Sequence, residues 1–519
     1  MLFWRAPARP HFGVFGIMYI EGTDGPDVFT PSYGDVVYGR LGNDTVQVGG
    51  GVWMAYSNYS YALDPPRYNL FADIDGSAVF TISSVFYDYV TLPPPGPQTH
   101  VSAVTMYGVE NFSFVGTHDP APPGQPYFPY YTVYGTDDVL TIGDLSSTAL
   151  TGQVYFDGGS GNDLLDAHAT GTAIFALGGT GGDTLIGGSG NDTLLGQDGV
   201  DVLYGGAGND TLYGGDGNDT LFDSGGLNTL VGGVGDDYYS SSNGSDTIFE
   251  QPNEGYDTLT TTATFVVLAP NVEKLFYLGP ADFIGIGTAG DDWIQGNTGN
   301  DYLIGLDGND TLYGGGGSAN TLQGGKGDDT YLVESPGDTL VEFANEGHDT
   351  VQTTLTQFTL PANFEDLLYS GTFNFTGTGN AADNLIRGGT GNDLLYGGAG
   401  NDTLIGGWGG DELTGGSGAD HFVFTTTNDG VDLIHDFNRA EGDKIDVSKI
   451  MSLLGPVGAD PFTNGVLTFE PIASFGSTGV PATRVVLDVD GSAGFLKPGT
   501  LFVAIGSTTL FDHSDFIIA

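Results

Sequence analysis

Aspartate side chains recur at intervals of nine residues, with one step of ten, in three stretches of this chain. Each lies at the sixth position of a glycine-rich nonapeptide such as GGAGNDTLY at residues 205–213. The pattern GxxGxD occurs 17 times, whereas roughly one or two occurrences are expected by chance at this composition. The series is therefore one repeated site. Its aspartates are Asp183, Asp192, Asp201, Asp210, Asp219 and Asp237 in the first stretch, Asp292, Asp301, Asp310 and Asp329 in the second, Asp393, Asp402, Asp411 and Asp420 in the third, and Asp163 in an earlier copy.

Carboxylates in such a series favour metal binding over acid–base catalysis. A catalytic pair needs two carboxylates at one place, whereas here the same group is repeated along the chain. Carboxylate oxygens and the carbonyl oxygens of glycine-rich turns form a hard, all-oxygen ligand set. Such a set suits Ca²⁺ better than Mg²⁺, which prefers tight octahedra and retains its waters. Asn228, Asn320 and Asn384 hold the same position without a charge and are expected to be weaker ligands.

The elements that must position these aspartates are short strands joined by turns. Glycines at positions 1, 2 and 4 allow positive φ angles and close backbone approach, so the first six residues form a turn. The last three, such as Thr211, Leu212 and Tyr213, form a strand whose central residue faces one side. Two nonapeptides close one coil of 18 residues, and stacked coils form two parallel sheets around a leucine stripe. The stripe consists of Leu185, Leu194, Leu203, Leu212, Leu221 and Leu230.

Stacking predicts that aspartates 18 residues apart lie on the same edge of the coils. Two unit charges at the inter-strand spacing of about 4.8 Å repel by roughly 0.9 kcal/mol in water and about 3.5 kcal/mol at an effective dielectric constant near 20. Over several coils this repulsion rivals the stability of a whole domain, about 5–15 kcal/mol. We therefore expect the coils not to form without a divalent cation. One column would contain Asp183, Asp201, Asp219 and Asp237, and the other Asp192, Asp210 and Asn228.

The composition agrees with a protein that binds cations. The chain of 519 residues has 65 acidic and 12 basic residues and a formal charge of -53, a field that repels nucleic acid and anionic membrane surfaces. Its hydrophobic fraction of 39% is enough to bury a core. Cysteine is absent, which excludes disulfides and zinc-thiolate sites, and no apolar run approaches the length of a membrane span.

A longer repeat contains the nonapeptides. GGVGDDYY at Gly232 recurs as GGKGDDTY at Gly324, and EGYDTLTTT at Glu254 recurs as EGHDTVQTT at Glu346, both offset by 92 residues. A unit made of an array and a spacer was therefore duplicated whole. The spacers contain β-branched and aromatic runs such as TLTTTATFVVL, which favour short strands.

The nonapeptide resembles the GGxGxDxUx repeat of the repeats-in-toxin (RTX) family, and copies such as GGAGNDTLY match at every defined position. The resemblance covers most of residues 158–450. It implies an all-β chain of parallel β-roll arrays with β-rich spacers, an N-terminal β module and a C-terminal β-rich cap. It also implies multiple Ca²⁺ ions held by the aspartates and backbone carbonyls, extracellular action, and export by the type I secretion machinery without a cleaved signal.

The C-terminal part extends this resemblance. GGSGADHFVF at 415–424 and DLIHDFNRAEGDKIDVS at 432–448 are similar to the domain that follows the roll in serralysin-type proteases. The last residues, HSDFIIA, resemble the tail that type I exporters accept. Serralysins carry a zinc-binding HExxH helix, and none of the eight histidines here lies in one. The resemblance thus implies the calcium and secretion module without the protease domain.

These patterns predict eight segments. The first is either a leader or a misassigned start, and the second has degenerate repeats and proline-rich loops. The segments are the leader or misassigned start at 1–17, the N-terminal β-rich module at 18–157, array 1 at 158–245, spacer 1 at 246–285, array 2 at 286–333, spacer 2 at 334–376, array 3 at 377–420, and the serralysin-like domain with its secretion signal at 421–519.

The predicted function is that of a secreted calcium-binding protein that folds on Ca²⁺ after export and acts as a non-enzymatic structural or adhesive factor. We assign no catalytic residue, because His100 and His118 lack a nucleophile context and no GxSxG elbow occurs. Two alternatives stay open. One is an exported hydrolase or lyase for polysaccharide or protein with its site in residues 18–157, and the other is an adhesin that binds a glycan or a host surface.

Overall fold

The computed structural model describes residues 154–242, 244–425, 430–454 and 513–518, and outside these ranges individual strands only. The chain in these ranges is nearly all β-structure and includes one α-helix, Ser448–Leu454, and one 3₁₀ turn, His513–Asp515. No helix in this part of the chain is long and apolar enough to cross a membrane. The chain forms two compact units, Met1–Ala263 with Ala269–Phe276, and Thr264–Leu268 with Tyr277–Ala519.

In the first unit, alternate strands of array 1 form two parallel sheets whose register repeats every two nonapeptides. Leu194 pairs with Leu212 in one sheet, and Leu185 pairs with Leu203 in the other. The first sheet contains Ala103–Val109, Tyr130–Tyr134, Val154–Ser160, Ile174–Thr180, Thr193–Asp198, Thr211–Asp216, Thr229–Val234 and Thr247–Phe249. The second contains Phe112–Gly116, Val139–Ile142, Leu164–Asp166, Thr184–Ile186, Val202–Tyr204, Thr220–Asp223, Tyr238–Ser241 and Thr258–Thr261. The parallel pairing therefore continues from array 1 into spacer 1.

The N-terminal module is described only as strands up to residue 153. Asp44–Val48 and Phe112–Gly116 both pair with Ala78–Ile82 in antiparallel fashion. The side chains of Trp53, His100 and His118, and the loops of this module, lie outside the described residues. The further strands are His11–Phe12, Met18–Glu21, Val28–Phe29, Val36–Tyr38, Tyr56–Ser57 and Val85–Val90, and Lys274–Tyr277 is a strand within spacer 1.

The second unit repeats the parallel arrangement and adds antiparallel pairing near its C-terminal end, where Leu467–Phe475 pairs with Val480–Leu487. One sheet contains Phe265–Val267, Ile284–Ile286, Tyr302–Asp307, Thr321–Lys326 and Thr339–Val341. A parallel series contains Trp293–Gln295, Thr311–Tyr313, Thr330–Val333, Thr350–Thr353, Asp366–Tyr369, Leu385–Gly389, Thr403–Gly407, His421–Val423, Lys444–Asp446 and Phe516–Ile517. The remaining sheet contains Gln357–Thr359, Thr376–Thr378, Leu394–Ala399, Glu412–Ser417, Val431–Ile434, Phe502–Ile505, Val480–Leu487 and Leu467–Phe475.

The core of array 1 is the predicted leucine stripe. All six leucines from Leu185 to Leu230 are fully buried, which confirms that the central residue of each short strand faces inward. Outward aromatic residues stack on one another between neighbouring coils, as Tyr204 does on Phe222 with ring centroids 4.7 Å apart. At the end of the array the stripe changes residue type, because Tyr239 pairs with Leu221 and is equally buried.

The C-terminal residues 513–518 pack into the second unit. Phe516–Ile517 pairs in parallel with Lys444–Asp446. Asp515 is fully buried and accepts a hydrogen bond from Nε of Arg439 at 2.6 Å. This tail is therefore part of the folded β-structure.

The turn geometry predicts that substitution by alanine affects stability very differently at two adjacent glycines. Gly226 has a φ of 114°, and a Cβ there would overlap the carbonyl oxygen of Gly208, whereas a Cβ on Gly225 would meet no atom within 4 Å. We expect Gly226→Ala to destabilise the calcium-loaded chain by about 2–4 kcal/mol, because the left-handed backbone and the overlap both cost energy. Gly225→Ala should change stability by less than about 0.5 kcal/mol. Urea unfolding followed by circular dichroism tests this, and equal losses would contradict the turn geometry.

Candidate metal centre

The aspartates of array 1 form two columns, one on each edge of the stacked coils. In one column the backbone N–H of Asp183 donates to Oδ1 of Asp201 at 2.7 Å. In the other, Asp192 N–H donates to Oδ1 of Asp210 at 2.8 Å, and Asp210 N–H donates to Oδ1 of Asn228 at 2.7 Å. Each bond joins residues 18 positions apart. The predicted two-column arrangement is therefore confirmed.

The local sequence explains why the aspartate occupies this position. It ends the glycine turn and immediately precedes the strand, as Asp210 precedes Thr211–Asp216. Both backbone groups of Asp210 contribute to stacking. Its N–H donates to the side-chain oxygen of Asn228 in the next coil, and its carbonyl accepts from the N–H of Thr229 there at 2.9 Å. The side chain is thereby held at the edge where two coils meet.

The second unit contains the same columns. Asp292 N–H donates to Oδ1 of Asp310 at 2.8 Å, and Asp310 N–H donates to Oδ1 of Asp329 at 2.7 Å. The second bond spans 19 residues, so the column continues through the ten-residue step of the repeat. In array 3, Asn384 N–H donates to Oδ1 of Asp402 at 2.8 Å. None of the predicted residues is more than 3% exposed: Asp163, Asp183, Asp192, Asp201, Asp210, Asp219, Asn228, Asp237, Asp292, Asp301, Asp310, Asn320, Asp329, Asn384, Asp393, Asp402, Asp411 and Asp420.

The second carboxylate oxygen of most of these aspartates is buried without a hydrogen-bond partner. Burying an ionised oxygen in this way is costly unless a positive charge compensates it. These oxygens are the Oδ2 atoms of Asp183, Asp201, Asp210, Asp219, Asp237, Asp310, Asp329, Asp393, Asp402 and Asp420.

Several of these oxygens share a small space with a glycine carbonyl of the next coil. A Cβ added to Gly178 would overlap Oδ2 of Asp183 and lie 2.7 Å from the carbonyl oxygen of Gly196. A Cβ added to Gly214 would overlap Oδ2 of Asp219 in the same way. Only glycine leaves this space open, and the oxygens that face it are those that Ca²⁺ prefers. The residues therefore fit a calcium ion.

Six further aspartates extend the columns beyond the regular repeats. Asp237 N–H donates to Oδ1 of Asp257 at 2.8 Å across 20 residues, and Asp329 N–H donates to Oδ1 of Asp349 at 2.9 Å across the same separation. Asp246 and Asp338 keep the 18-residue spacing but lie outside the GxxGxD copies. The period missed the others because additional residues lengthen the coil to a spacing of 20 to 23 residues. A glycine one or two positions before the aspartate was the available signal. The six are Asp246, Asp257, Asp338, Asp349, Asp432 and Asp443.

Burial raises the pKa of the column carboxyl groups, and like charges in neighbouring coils raise it further. Burial is the largest cause of the rise in the pKa of Asp183 to about 7. The hydrogen bond from the Asp163 backbone lowers this pKa, and the charges of Asp163 and Asp201 raise it. Burial together with the charge of Asp329 raises the pKa of Asp310 to about 8. In the folded chain these groups therefore hold protons near neutral pH unless a cation replaces them.

The fold and the columns are those of a metal-binding parallel β-solenoid. A family model described as the RTX calcium-binding nonapeptide repeat matches the chain in eight places. The repeats imply calcium binding, and together with the β-solenoid they support an RTX-type protein. The matched residues are 32–52, 148–169, 177–212, 213–248, 286–319, 315–330, 378–413 and 405–423.

Similar proteins cover parts of the chain. A segment of 66 residues is 47% identical to endo-1,3-1,4-beta-glycanase ExsH of Rhizobium meliloti, and it spans 13% of this chain and 14% of that relative's length. The AlgE6R3 subunit of the Azotobacter vinelandii mannuronan C5-epimerase is 31% identical over 28% of this chain and 79% of that chain, with a TM-score of 0.21. The extracellular lipase LipA of Serratia marcescens is 21% identical over 51% of this chain and 45% of that chain, with a TM-score of 0.15.

The raised pKa values predict how pH acts on the calcium-free chain. The pKa of Asp183 rises from 3.8 to about 7 and that of Asp310 to about 8 in the folded state, so the folded state binds more protons than the unfolded state. The stability of the folded state is fully present at pH values below the pKa of the unfolded state. It is lost as the pH rises through the pKa values of the folded state. We expect acidification of calcium-free chain from about pH 8.5 to about pH 5.5 to increase the β-sheet signal in far-UV circular dichroism. Saturating calcium should remove this dependence, and a calcium-free signal that is constant over the range would contradict the assignment.

Proposed function

We propose that this chain is a secreted calcium-binding protein whose β-solenoid folds when calcium binds after export. The observation that carries the proposal is the series of buried Oδ2 oxygens without hydrogen-bond partners, several of them beside a glycine carbonyl of the next coil. The RTX repeats and the formal charge of -53 support it. Bound Ca²⁺ would supply the positive charge and accept six to eight oxygen ligands.

The two carboxylate oxygens, the glycines and the leucines have separate roles at each calcium site. Oδ1 of each aspartate accepts the backbone N–H of the preceding coil, as between Asp201 and Asp183, and this fixes the carboxylate orientation. Oδ2 is then directed to the cation space, which glycine leaves open. The leucine stripe excludes water from the interior beside it, since Leu203 and Leu221 are fully buried.

Calcium-coupled folding also suits export by the type I machinery. In a cytosol with little calcium, repulsion within the columns would keep the chain extended for transport. Outside the cell, each site filled at 100 times its Kd would add about 2.7 kcal/mol, so a few sites match the stability of a domain, about 5–15 kcal/mol. Folding buries Asp515 and Phe516 of the proposed secretion signal, so the exporter must engage that tail before the chain folds.

We propose a structural or adhesive role outside the cell, because the buried carboxylates are used in stacking the coils. An exported hydrolase or lyase and a glycan- or host-binding adhesin remain the alternatives, with the activity in residues 18–157. Full-length, calcium-loaded chain assayed on polysaccharides, esters and casein separates the three. Turnover would favour the enzyme, binding to a glycan without turnover would favour the adhesin, and neither would favour the structural role.

The folding mechanism is tested by circular dichroism of the full chain in excess chelator and in millimolar calcium. We expect little β-structure in chelator at neutral pH and a cooperative increase as calcium is added, because the cation replaces the missing counter-charge. A strand-rich spectrum that excess chelator leaves unchanged would contradict the mechanism.

Two column substitutions should differ in size. Asp219 has charged column neighbours on both sides, whereas Asp210 has the uncharged Asn228 on one side. We expect Asp219→Ala to raise the calcium midpoint of folding about 10-fold, equivalent to about 1.4 kcal/mol, and Asp210→Ala to raise it about 3-fold. Asp216→Ala removes the same charge from an exposed position and serves as the control. Equal shifts in Asp219→Ala and Asp216→Ala would contradict a role for the columns.

A further inference from the structure

We propose that arrays 1 and 2 each end in a calcium site of a different type, made of three carboxylates and braced by a buried tyrosine. The proposal rests on calcium-coupled folding, which it extends to residues outside the nonapeptides. The first site consists of Asp237, Glu250 and Asp257, and the second consists of Asp329, Glu342 and Asp349. We call them the array-end sites. Each lies within one compact unit.

The three carboxylates of each array-end site converge. One oxygen from each residue lies within 4.8 Å of the others in both groups. All six residues are buried, and the most exposed, Glu342, is 8% exposed. In the first site, Oδ2 of Asp237 and Oε2 of Glu250 have no hydrogen-bond partner, and the equivalent oxygens of Asp329 and Glu342 have none in the second. Three buried carboxylates that converge, with unpaired oxygens among them, require a positive charge to compensate them.

The glutamate distinguishes these sites from the nonapeptide sites. Gly232 N–H donates to Oε1 of Glu250 at 3.1 Å across 18 residues, so Glu250 holds the place where earlier coils have the first glycine of the repeat. A Cβ on Gly214 would lie 2.6 Å from the carbonyl oxygen of Gly232, whereas a Cβ on Gly232 would lie 2.5 Å from Oε1 of Glu250. A charged carboxylate therefore replaces a neutral carbonyl ligand.

The second site repeats this replacement. Glu342 bears the same relation to Gly324, where an added Cβ would lie 2.6 Å from Oε1 of Glu342. The two glutamates are separated by the 92-residue offset of the duplicated unit. The same arrangement is thus present in both copies of the duplicated unit.

A tyrosine holds each glutamate in place. Tyr239 and Tyr331 take the positions of Leu221 and Leu312 in the buried stripe. Their hydroxyl groups donate to Oε1 of Glu250 and of Glu342, respectively. This bond fixes the orientation of the carboxylate, whose other oxygen, Oε2, is buried without a hydrogen-bond partner. The sequence signal is the second aromatic in GGVGDDYY and the tyrosine in GGKGDDTY.

The number of charges predicts the order of binding. Calcium affinity rises with the number of charged ligands and with the rigidity of the site. Three buried carboxylates exceed the two that neighbouring coils supply in the arrays, and the tyrosine limits the movement of one of them. The array-end sites should therefore bind calcium first during folding and close the last coil of each array.

The test compares two charge-matched double variants of the full chain. Glu250→Gln with Glu342→Gln removes one charge from each array-end site. Glu254→Gln with Glu346→Gln removes the same charges from the same spacers, where the side chains accept the backbone N–H groups of Gln251 and Phe343 instead. Calorimetric titration with calcium, and metal analysis after dialysis, give the affinity and the number of ions bound.

We expect the first variant to lose the two tightest calcium ions, or to bind them at least 10-fold more weakly, while the control matches the parent. Equal binding by both variants and the parent would overturn the proposal. A parent that binds no calcium would instead overturn the proposed function itself, so the two failures are distinguishable.

A second measurement, terbium emission, tests the proposal even if the first variant fails to fold. Terbium replaces calcium, and its emission is excited through nearby tyrosine rings. In the parent, the first two equivalents of terbium should give strong emission excited through tyrosine. Tyr239→Phe with Tyr331→Phe keeps all six carboxylates, so we expect it to bind those equivalents with emission reduced at least 2-fold. Emission equal to that of the parent would contradict cations beside these tyrosines.

Discussion

The structure depends on one constraint, which is that buried like charges are stacked along each edge of the coils. The hydrogen bond that aligns two coils, from the Asp183 backbone to the Asp201 side chain, is also the contact that brings their carboxylates together. The coils cannot stack without burying the second oxygen of each carboxylate, and protein donors do not reach it in most of the columns. The stability of the solenoid therefore depends on protons or cations at this edge, and calcium serves where the pH is neutral.

The other features of the repeat follow from this constraint. Glycine is required where a side chain would occupy the space between a carboxylate and the next carbonyl, as at Gly178 and Gly214. An apolar residue is required at the centre of each short strand, most often leucine and in places Ile294 or Tyr331, because this residue fills the interior of the coil. Duplication of the whole unit then copied the stacking edge, the stripe and the irregular coil at its end, so that stacked Tyr277 and Phe283 recur as stacked Tyr369 and Phe375.

Much of this was predictable from the sequence, because a strict period converts directly into geometry. Nine residues predicted the strands, the leucine stripe and the pairing of Asp183 with Asp201. Prediction failed where the period breaks. Asp257 joins a column across 20 residues, since spacer residues lengthen the coil. Glu250 occupies a position where the repeat has glycine. Its role depends on the hydrogen bonds that its side chain accepts from the Gly232 backbone and from the Tyr239 hydroxyl. Such contacts lie outside the nine-residue period, so the period does not predict them.

The most direct test of the account separates the charge of the columns from their shape. Asparagine keeps the shape: Oδ1 of Asn228 accepts the Asp210 backbone, and Nδ2 of Asn384 donates to the carbonyl of Phe364 at 2.9 Å. The test replaces every column aspartate of array 1 in the full chain with asparagine and measures hydrogen exchange of residues 178–240 without calcium at neutral pH. The account predicts that the array becomes protected, because the repulsion is gone. An array that still exchanges as fast as the calcium-free parent would contradict it.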